Sequence, residues 1–89
     1  MRLPEIVRTF DNVEPDKAQV MKVAEESLEV FSAWENFQDD ASDAKRSAVV
    51  DECADVIQAT CNLIASLGVE DFTPYMEACR KRNEERGRM

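Results

Sequence analysis

The chain has 89 residues, a formal net charge of −8 and no histidine. A domain this short has a marginal core when it stands alone, and its acidity opposes binding to nucleic-acid polymers and to anionic membranes. The lack of histidine excludes imidazole bases and serine–histidine triads, while the small number of turn-forming residues, two glycines and three prolines, favours an all-α fold.

Three cysteines, Cys53, Cys61 and Cys79, have no CxxC spacing and no histidine to complete a zinc site. We expect them to be buried free thiols in a reducing cytoplasm. No long apolar run opens the chain, so no signal peptide is expected. The uncharged stretch between Asp55 and Glu70 is too short to span a bilayer. The sequence therefore predicts a single helical domain over residues 1–89, located in the cytoplasm.

Local sequence signals predict four helical segments. A short first helix spans about Pro4 to Phe10, because proline suits a first helical turn and apolar residues recur at helical spacing. A second helix spans about Asp16 to Phe37, with Asp16 as its N-cap and Gln19 three residues further on. The residues on its broad apolar face are Val20, Val23, Ala24, Ser27, Leu28, Val30, Phe31 and Trp34. The residues on its opposite face are Lys22, Glu25, Glu26 and Glu29.

A polar break at residues 38–43 separates the second helix from the third. Ser42 or Asp43 can cap the third helix, which runs to about Leu67 and stops at Gly68. Its predicted apolar face contains Val49, Cys53, Val56, Ile57, Thr60, Leu63 and Ile64. Its polar face contains Asp51, Asp55, Gln58, Asn62 and Ser66, with Glu52 on the boundary between the two faces.

The fourth helix begins at Thr73 and Pro74, an N-cap followed by proline at the first helical position, and ends before Gly87. Its last turns are basic, which suits the negative end of the helix dipole. These basic residues are Arg80, Lys81, Arg82 and Arg86.

Acidic residues recur at helical spacing on the second and third helices. Glu26 and Glu29 are three residues apart, as are Glu52 and Asp55, so each pair lies on one helical face. If the two helices pack antiparallel, the pairs face each other and form an all-oxygen site suited to Mg²⁺ or Mn²⁺. A half-buried Glu52 would also need a partner. The same residues fit the solvated faces of ordinary amphipathic helices, and the spacing alone leaves both interpretations open.

The acidic pattern resembles the signature of a known enzyme family. Glu-Glu-x-x-Glu at residues 25–29, followed after a gap of 22 residues by Glu-x-x-Asp at residues 52–55, is similar to the motif of the MazG-like all-α nucleoside triphosphate pyrophosphohydrolases. The flanking segments that share this similarity are residues 51–57, 63–69 and 82–86. The resemblance extends over residues 17–86, nearly the whole chain.

The resemblance implies Mg²⁺-dependent hydrolysis of a nucleoside triphosphate, in its ribo or deoxy form, to the monophosphate and pyrophosphate. The metal ligands that it implies are Glu26, Glu29, Glu52 and Asp55. Glu25 would orient or deprotonate the attacking water. The implied phosphate contacts are Lys22, Arg82, Asn83 and Arg86. Lys22 also fits an ion-pair partner of the acidic motif, and the other three also fit a basic helix end.

Some features depart from the family or leave its details open. Arg82 stands where the family usually has lysine, so a planar guanidinium group replaces the compact ammonium group of lysine. Trp34 and Phe37 fit either base stacking or a place in the core or a subunit interface. Family members assemble as dimers or tetramers, which implies an antiparallel helical bundle completed by oligomerisation, as a homodimer or homotetramer. The apolar residues that could cover a neighbouring subunit are Leu3, Ile6, Val7 and Phe10.

Two other classes of function stay open. One is a related enzyme of the same superfamily, either dUTPase-like or a phosphoribosyl-ATP pyrophosphohydrolase, which shares acidic helical motifs. The other is a non-catalytic helical interaction protein whose carboxylates are ordinary solvent-exposed side chains. That second interpretation predicts no effect of Mg²⁺ on thermal stability, whereas a metal site predicts stabilisation by mass action.

Overall fold

Three α-helices form the regular structure of residues 7–89, which are the residues that the computed structural model describes. Helix α1 spans Lys17–Asp39, α2 spans Asp43–Ser66 and α3 spans Thr73–Glu85. The prediction of an all-α fold is confirmed for this part of the chain. None of these three helices is both long enough and apolar enough to cross a membrane.

The predicted first helix is wrong over its described part. Pro4 lies outside the described residues, and residues 7–10 have no regular secondary structure. A helix of two turns is marginal without packing, and here the backbone bonds to α2 instead. Asn62 Oδ1 accepts a hydrogen bond from the Phe10 N–H at 3.0 Å, and Gln58 Nε2 donates to the Arg8 carbonyl at 3.1 Å.

Side-chain caps fix the starts of α1 and α2. Asp16 Oδ1 accepts from the N–H of Gln19 at 3.1 Å, and Ser42 Oγ accepts from the N–H of Lys45 at 3.2 Å. Each cap satisfies a backbone donor that has no partner within the helix. The predicted cap at Asp16 is confirmed, and Ser42 is the cap of α2.

The ends of α1 and α2 follow the sequence signals closely. Helix α1 continues to Asp39, beyond the predicted end at Phe37, so the connection to α2 shortens to residues 40–42. Helix α2 ends at Ser66, and Gly68 follows with φ of +82°, the left-handed conformation expected of a C-terminal glycine.

Helix α3 begins differently from its prediction. Thr73 is its first helical residue and Phe72 occupies the N-cap position, so the assignment of Thr73 as N-cap is wrong. The Thr73 N–H donates instead to Asp71 Oδ1 at 3.0 Å. The end of the helix before Gly87 is confirmed, and this glycine has φ of +72°.

The packing within this chain is sparse. Helices α1 and α2 pack on each other, whereas α3 makes few contacts with either. Among the described residues only Ala59 and Cys61 are buried apolar groups, while Glu26 and Asn62 are buried polar ones. The Cα radius of gyration is 15.2 Å, against about 12 Å for a compact domain of this length. The core between the helices is therefore small and partly polar.

The apolar face of α1 is largely open to solvent. Leu28 is 68% exposed and Phe31 is 60% exposed, and Val20 and Trp34 are exposed as well. Meanwhile Glu26, from the face opposite, is buried. The less exposed side of α1 takes residues from both predicted faces, since Val23 and Val30 are half-buried together with Glu26. A helical wheel does not specify which side another helix covers.

The cysteines differ in their burial. Cys61 is buried, Cys79 is half-buried and Cys53 is exposed. The prediction that all three thiols are buried is therefore wrong for Cys53. Its neighbour on the predicted apolar face of α2, Ile57, is also exposed.

Candidate metal centre

Three carboxylates from two helices meet where α1 and α2 pack together. Glu26 comes from α1, and Glu52 and Asp55 come from α2. Each contributes a carboxylate oxygen, and these oxygens all lie within 4.8 Å of one another. The three-residue spacing places Glu52 and Asp55 side by side on α2, and the packing of α1 brings Glu26 against them.

Glu26 has one satisfied oxygen and one that lacks a partner. The residue is 7% exposed, and its Oε1 lies 2.9 Å from Lys22 Nζ. Its Oε2 is buried with no hydrogen-bond partner, as is Oε2 of Glu52. A buried carboxylate oxygen left without a partner is costly, and a solvated helix face would not contain one. Oxygen-only donors that lack partners fit a hard divalent cation such as Mg²⁺ or Mn²⁺.

Glu29 lies next to these three carboxylates, but it is not one of the residues whose oxygens lie within 4.8 Å of one another. It is exposed, and its carboxyl neighbours that of Glu52. Burial raises the pKa of Glu52 above its ordinary value, and hydrogen bonding with Glu29 raises it further. The negative charges of Glu29, Asp55 and Glu26 act in the same direction. The site therefore concentrates more negative charge than its surroundings neutralise.

Lys22 supplies the positive charge that pairs with Glu26 on α1. Its ammonium group pairs with Glu26 and lies 3.9 Å from Glu25 Oε2. The hydrogen bond and charge of Glu26, followed by the charges of Glu25 and Glu29, raise the pKa of Lys22 although burial opposes the shift. Glu25 itself is exposed and is not one of the three carboxylates that lie close together. The ion-pair role considered for Lys22 is thus present in the structure.

Two cavities adjoin the carboxylates, and each contacts a different pair of them. The first has a volume of about 190 Å³. Its lining residues are Phe10, Lys22, Glu26, Asp55, Gln58, Ala59 and Asn62. The second has a volume of about 270 Å³. Its lining residues are Glu29, Ser32, Ala33, Asn36, Lys45, Ala48 and Glu52. The carboxylates therefore lie between two spaces that small molecules can enter.

Sequence reasoning did not assign Phe10, Asn62, Gln58 or Lys45 to the site. Asn62 Oδ1 accepts from both the Phe10 N–H and Gln58 Nε2, at 3.0 and 3.1 Å. Gln58 and Asn62 follow Asp55 on the same helical face, which was the available signal. Nothing local to Phe10 indicates its place, because its partner lies 52 residues further along the chain.

The basic residues predicted near the end of α3 line neither of these two cavities. Arg82 and Arg86 are exposed. Asn83 bonds locally, since its Nδ2 donates to the Cys79 carbonyl at 3.0 Å and its Oδ1 accepts from Arg88 Nη1 at 3.3 Å. Within one copy of the chain these residues suit the helix end.

Trp34 and Phe37 pack against each other, with ring centroids 5.6 Å apart. Trp34 is exposed and Phe37 is half-buried. Neither ring lines the two cavities beside the carboxylates. Their position gives no support to stacking of a base at this site.

Comparison of the chain with protein-family models, with curated proteins and with solved structures gives no match.

Proposed function

We propose that the chain is a Mg²⁺-dependent nucleoside triphosphate pyrophosphohydrolase, with Mn²⁺ as a possible substitute. The proposal rests on the resemblance of the acidic motif, and the observation that carries it is the buried, unpartnered Oε2 of Glu26 beside two further carboxylates. The residues that would hold the metal are Glu26, Glu29, Glu52 and Asp55. A cluster of purely solvated carboxylates has no reason to bury one member next to two others.

In the proposed reaction a water oxygen forms a bond to the α phosphorus, and the bond from that phosphorus to the bridging oxygen breaks. The water loses its proton, and pyrophosphate leaves from a nucleoside monophosphate. Bound Mg²⁺ would supply charge neutralisation for the phosphates and lower the pKa of the attacking water. Glu25 would orient this water or accept its proton. Lys22, held beside Glu26, would offset negative charge where the phosphates enter.

We further propose that a second copy of the chain completes an antiparallel bundle, as a dimer or tetramer. The exposed Leu28 and Phe31 and the large radius of gyration support this arrangement, because an isolated small domain rarely leaves such residues uncovered. A partner subunit would also let Arg82, Asn83 and Arg86 contact phosphate across the interface. The cytoplasm, which holds the nucleotide pool and keeps thiols reduced, suits both the substrate and the three free cysteines.

A pyrophosphate-release assay over all NTPs and dNTPs with Mg²⁺ tests the proposed activity. We expect release from at least one nucleotide by the wild type and loss of it in Glu52→Gln. Glu35→Gln is the matched control, since it removes the same charge from an exposed position on α1. Deoxyuridine triphosphate and phosphoribosyl-ATP in the panel distinguish the related enzymes. Folded protein that releases no pyrophosphate with Mg²⁺ or Mn²⁺ would contradict the proposal and favour an interaction protein.

A further inference from the structure

The segment before α1 is fixed to α2 by a buried amide. Asn62 is 4% exposed, and its Oδ1 accepts from the Phe10 N–H at 3.0 Å and from Gln58 Nε2 at 3.1 Å. Gln58 Nε2 also donates to the Arg8 carbonyl at 3.1 Å. Two side chains of α2 thus bond to the backbone of residues 8–10. Because position 10 bonds through its backbone N–H, any residue there other than proline would retain this hydrogen bond.

This anchoring places an exposed aromatic ring beside the carboxylates. The backbone of Phe10 is held, yet the residue is 63% exposed. It lines the cavity of about 190 Å³ together with Glu26, Asp55 and Lys22. A cavity of this size holds a nucleobase but not a complete nucleoside triphosphate. The phosphates would therefore extend from this cavity past Lys22 and the carboxylates towards the second cavity, which Glu29, Glu52 and Lys45 line.

We infer that Phe10 is a substrate-binding residue that stacks on the base of the nucleotide, an inference that rests on the proposed function. Phe10 contributes an exposed aromatic side chain to a cavity that combines apolar surface with charged groups, and a flat aromatic ligand in the cavity would cover that ring. Stacking of this kind tolerates any base, because every base has a π face. Base preference would then depend on polar groups of the same cavity, of which Gln58 is one.

Two probes separate contact with the base from contact with the phosphates. One is an α,β-methylene nucleoside triphosphate, whose α–β linkage resists hydrolysis. The other is inorganic tripolyphosphate, which has no base. Calorimetric titration of each into the full chain with Mg²⁺ gives a dissociation constant for wild type, Phe10→Ala, Phe10→Tyr and a control, Tyr75→Ala. Tyr75 is another exposed aromatic residue, on α3 and outside this cavity.

We expect Phe10→Ala to weaken binding of the nucleotide analogue by roughly five- to a hundredfold, the range measured for loss of one base–aromatic stack. Binding of tripolyphosphate should not change, Phe10→Tyr should bind the analogue like wild type, and Tyr75→Ala should have no effect on either probe. Equal weakening of both probes by Phe10→Ala, or no weakening of either, would overturn the assignment. Wild type that binds neither probe would instead contradict the proposed function, and the assignment of Phe10 with it.

Discussion

Replacement of Glu26 by glutamine should stabilise the metal-free protein and abolish its response to Mg²⁺. Glutamine has nearly the same shape but no charge, and its amide can donate to the buried Oε2 of Glu52, which has no hydrogen-bond partner. The substitution therefore removes like-charge repulsion and satisfies a buried oxygen at once. It also removes the negative charge that a divalent cation needs at the centre of the site.

The size of the effect follows from the geometry. Carboxylate oxygens of Glu26 and Asp55 lie within 4.8 Å of each other, which corresponds to a repulsion of about 1–3 kcal/mol at effective dielectric constants from about 80 down to 20. Loss of the partly exposed ion pair with Lys22 offsets up to about 1 kcal/mol of this gain. For a domain of this size, each remaining kcal/mol raises the melting temperature by about 4–8 °C.

Thermal melts with and without Mg²⁺ measure both expectations. Mg²⁺ at about a hundred times its dissociation constant stabilises the folded protein by about 2.7 kcal/mol, so the wild-type melting temperature should rise by roughly 10–20 °C. Glu26→Gln should melt above metal-free wild type and should not respond to Mg²⁺. Glu35→Gln, with the same charge change on an exposed position of α1, should respond like wild type. A metal-free Glu26→Gln protein that melts lower than wild type would refute the repulsion argument.

Three further predictions concern other parts of the molecule. Because the pKa of Glu52 is raised in the folded chain, metal-free stability should increase as pH falls through the folded-state pKa of this carboxyl group, and pH-dependent melts of Glu52→Gln should lack this component. Asn62→Ala leaves the Phe10 N–H without its acceptor and removes one of the two acceptors of Gln58 Nε2, so we expect a loss of about 1–3 kcal/mol in denaturant titrations and faster amide exchange at Phe10. Leu28→Glu should reduce the sedimenting mass to that of one chain, and an unchanged mass would refute assembly through that face.

Local features of the fold were predictable from the sequence. The starts of α1 and α2 depend on Asp16 and Ser42, whose side chains bond to backbone groups three residues away. Such caps depend on neighbouring residues, so the local sequence carries the signal. The position of Gly68 after α2 was also predictable, since glycine itself favours the positive φ found there and no distant contact is needed. The helical spacing of the acidic residues likewise predicted which carboxylates share a face.

Features that depend on distant contacts were not predictable in this way. The backbone of Phe10 bonds to a residue 52 positions away, so its apolar spacing was taken for a helical turn. Lys45 lines the cavity beside Glu29 and Glu52 although nothing in its own neighbourhood indicates a site. The burial of Glu26 depends on how α1 rotates against α2, which the wheel does not specify.

The exposures of Glu26 and Leu28 show how α1 is rotated about its axis against α2. The two residues are about 200° apart on α1, and the charged one is buried while the apolar one is 68% exposed. For a chain stabilised by its own core, the opposite rotation would be favoured by the burial of apolar area. A cation alone would explain the buried oxygen of Glu26 but would leave Leu28 in water. A partner subunit alone would cover Leu28 but would leave that oxygen without a partner. We therefore propose that a cation and a partner subunit together account for the observed rotation.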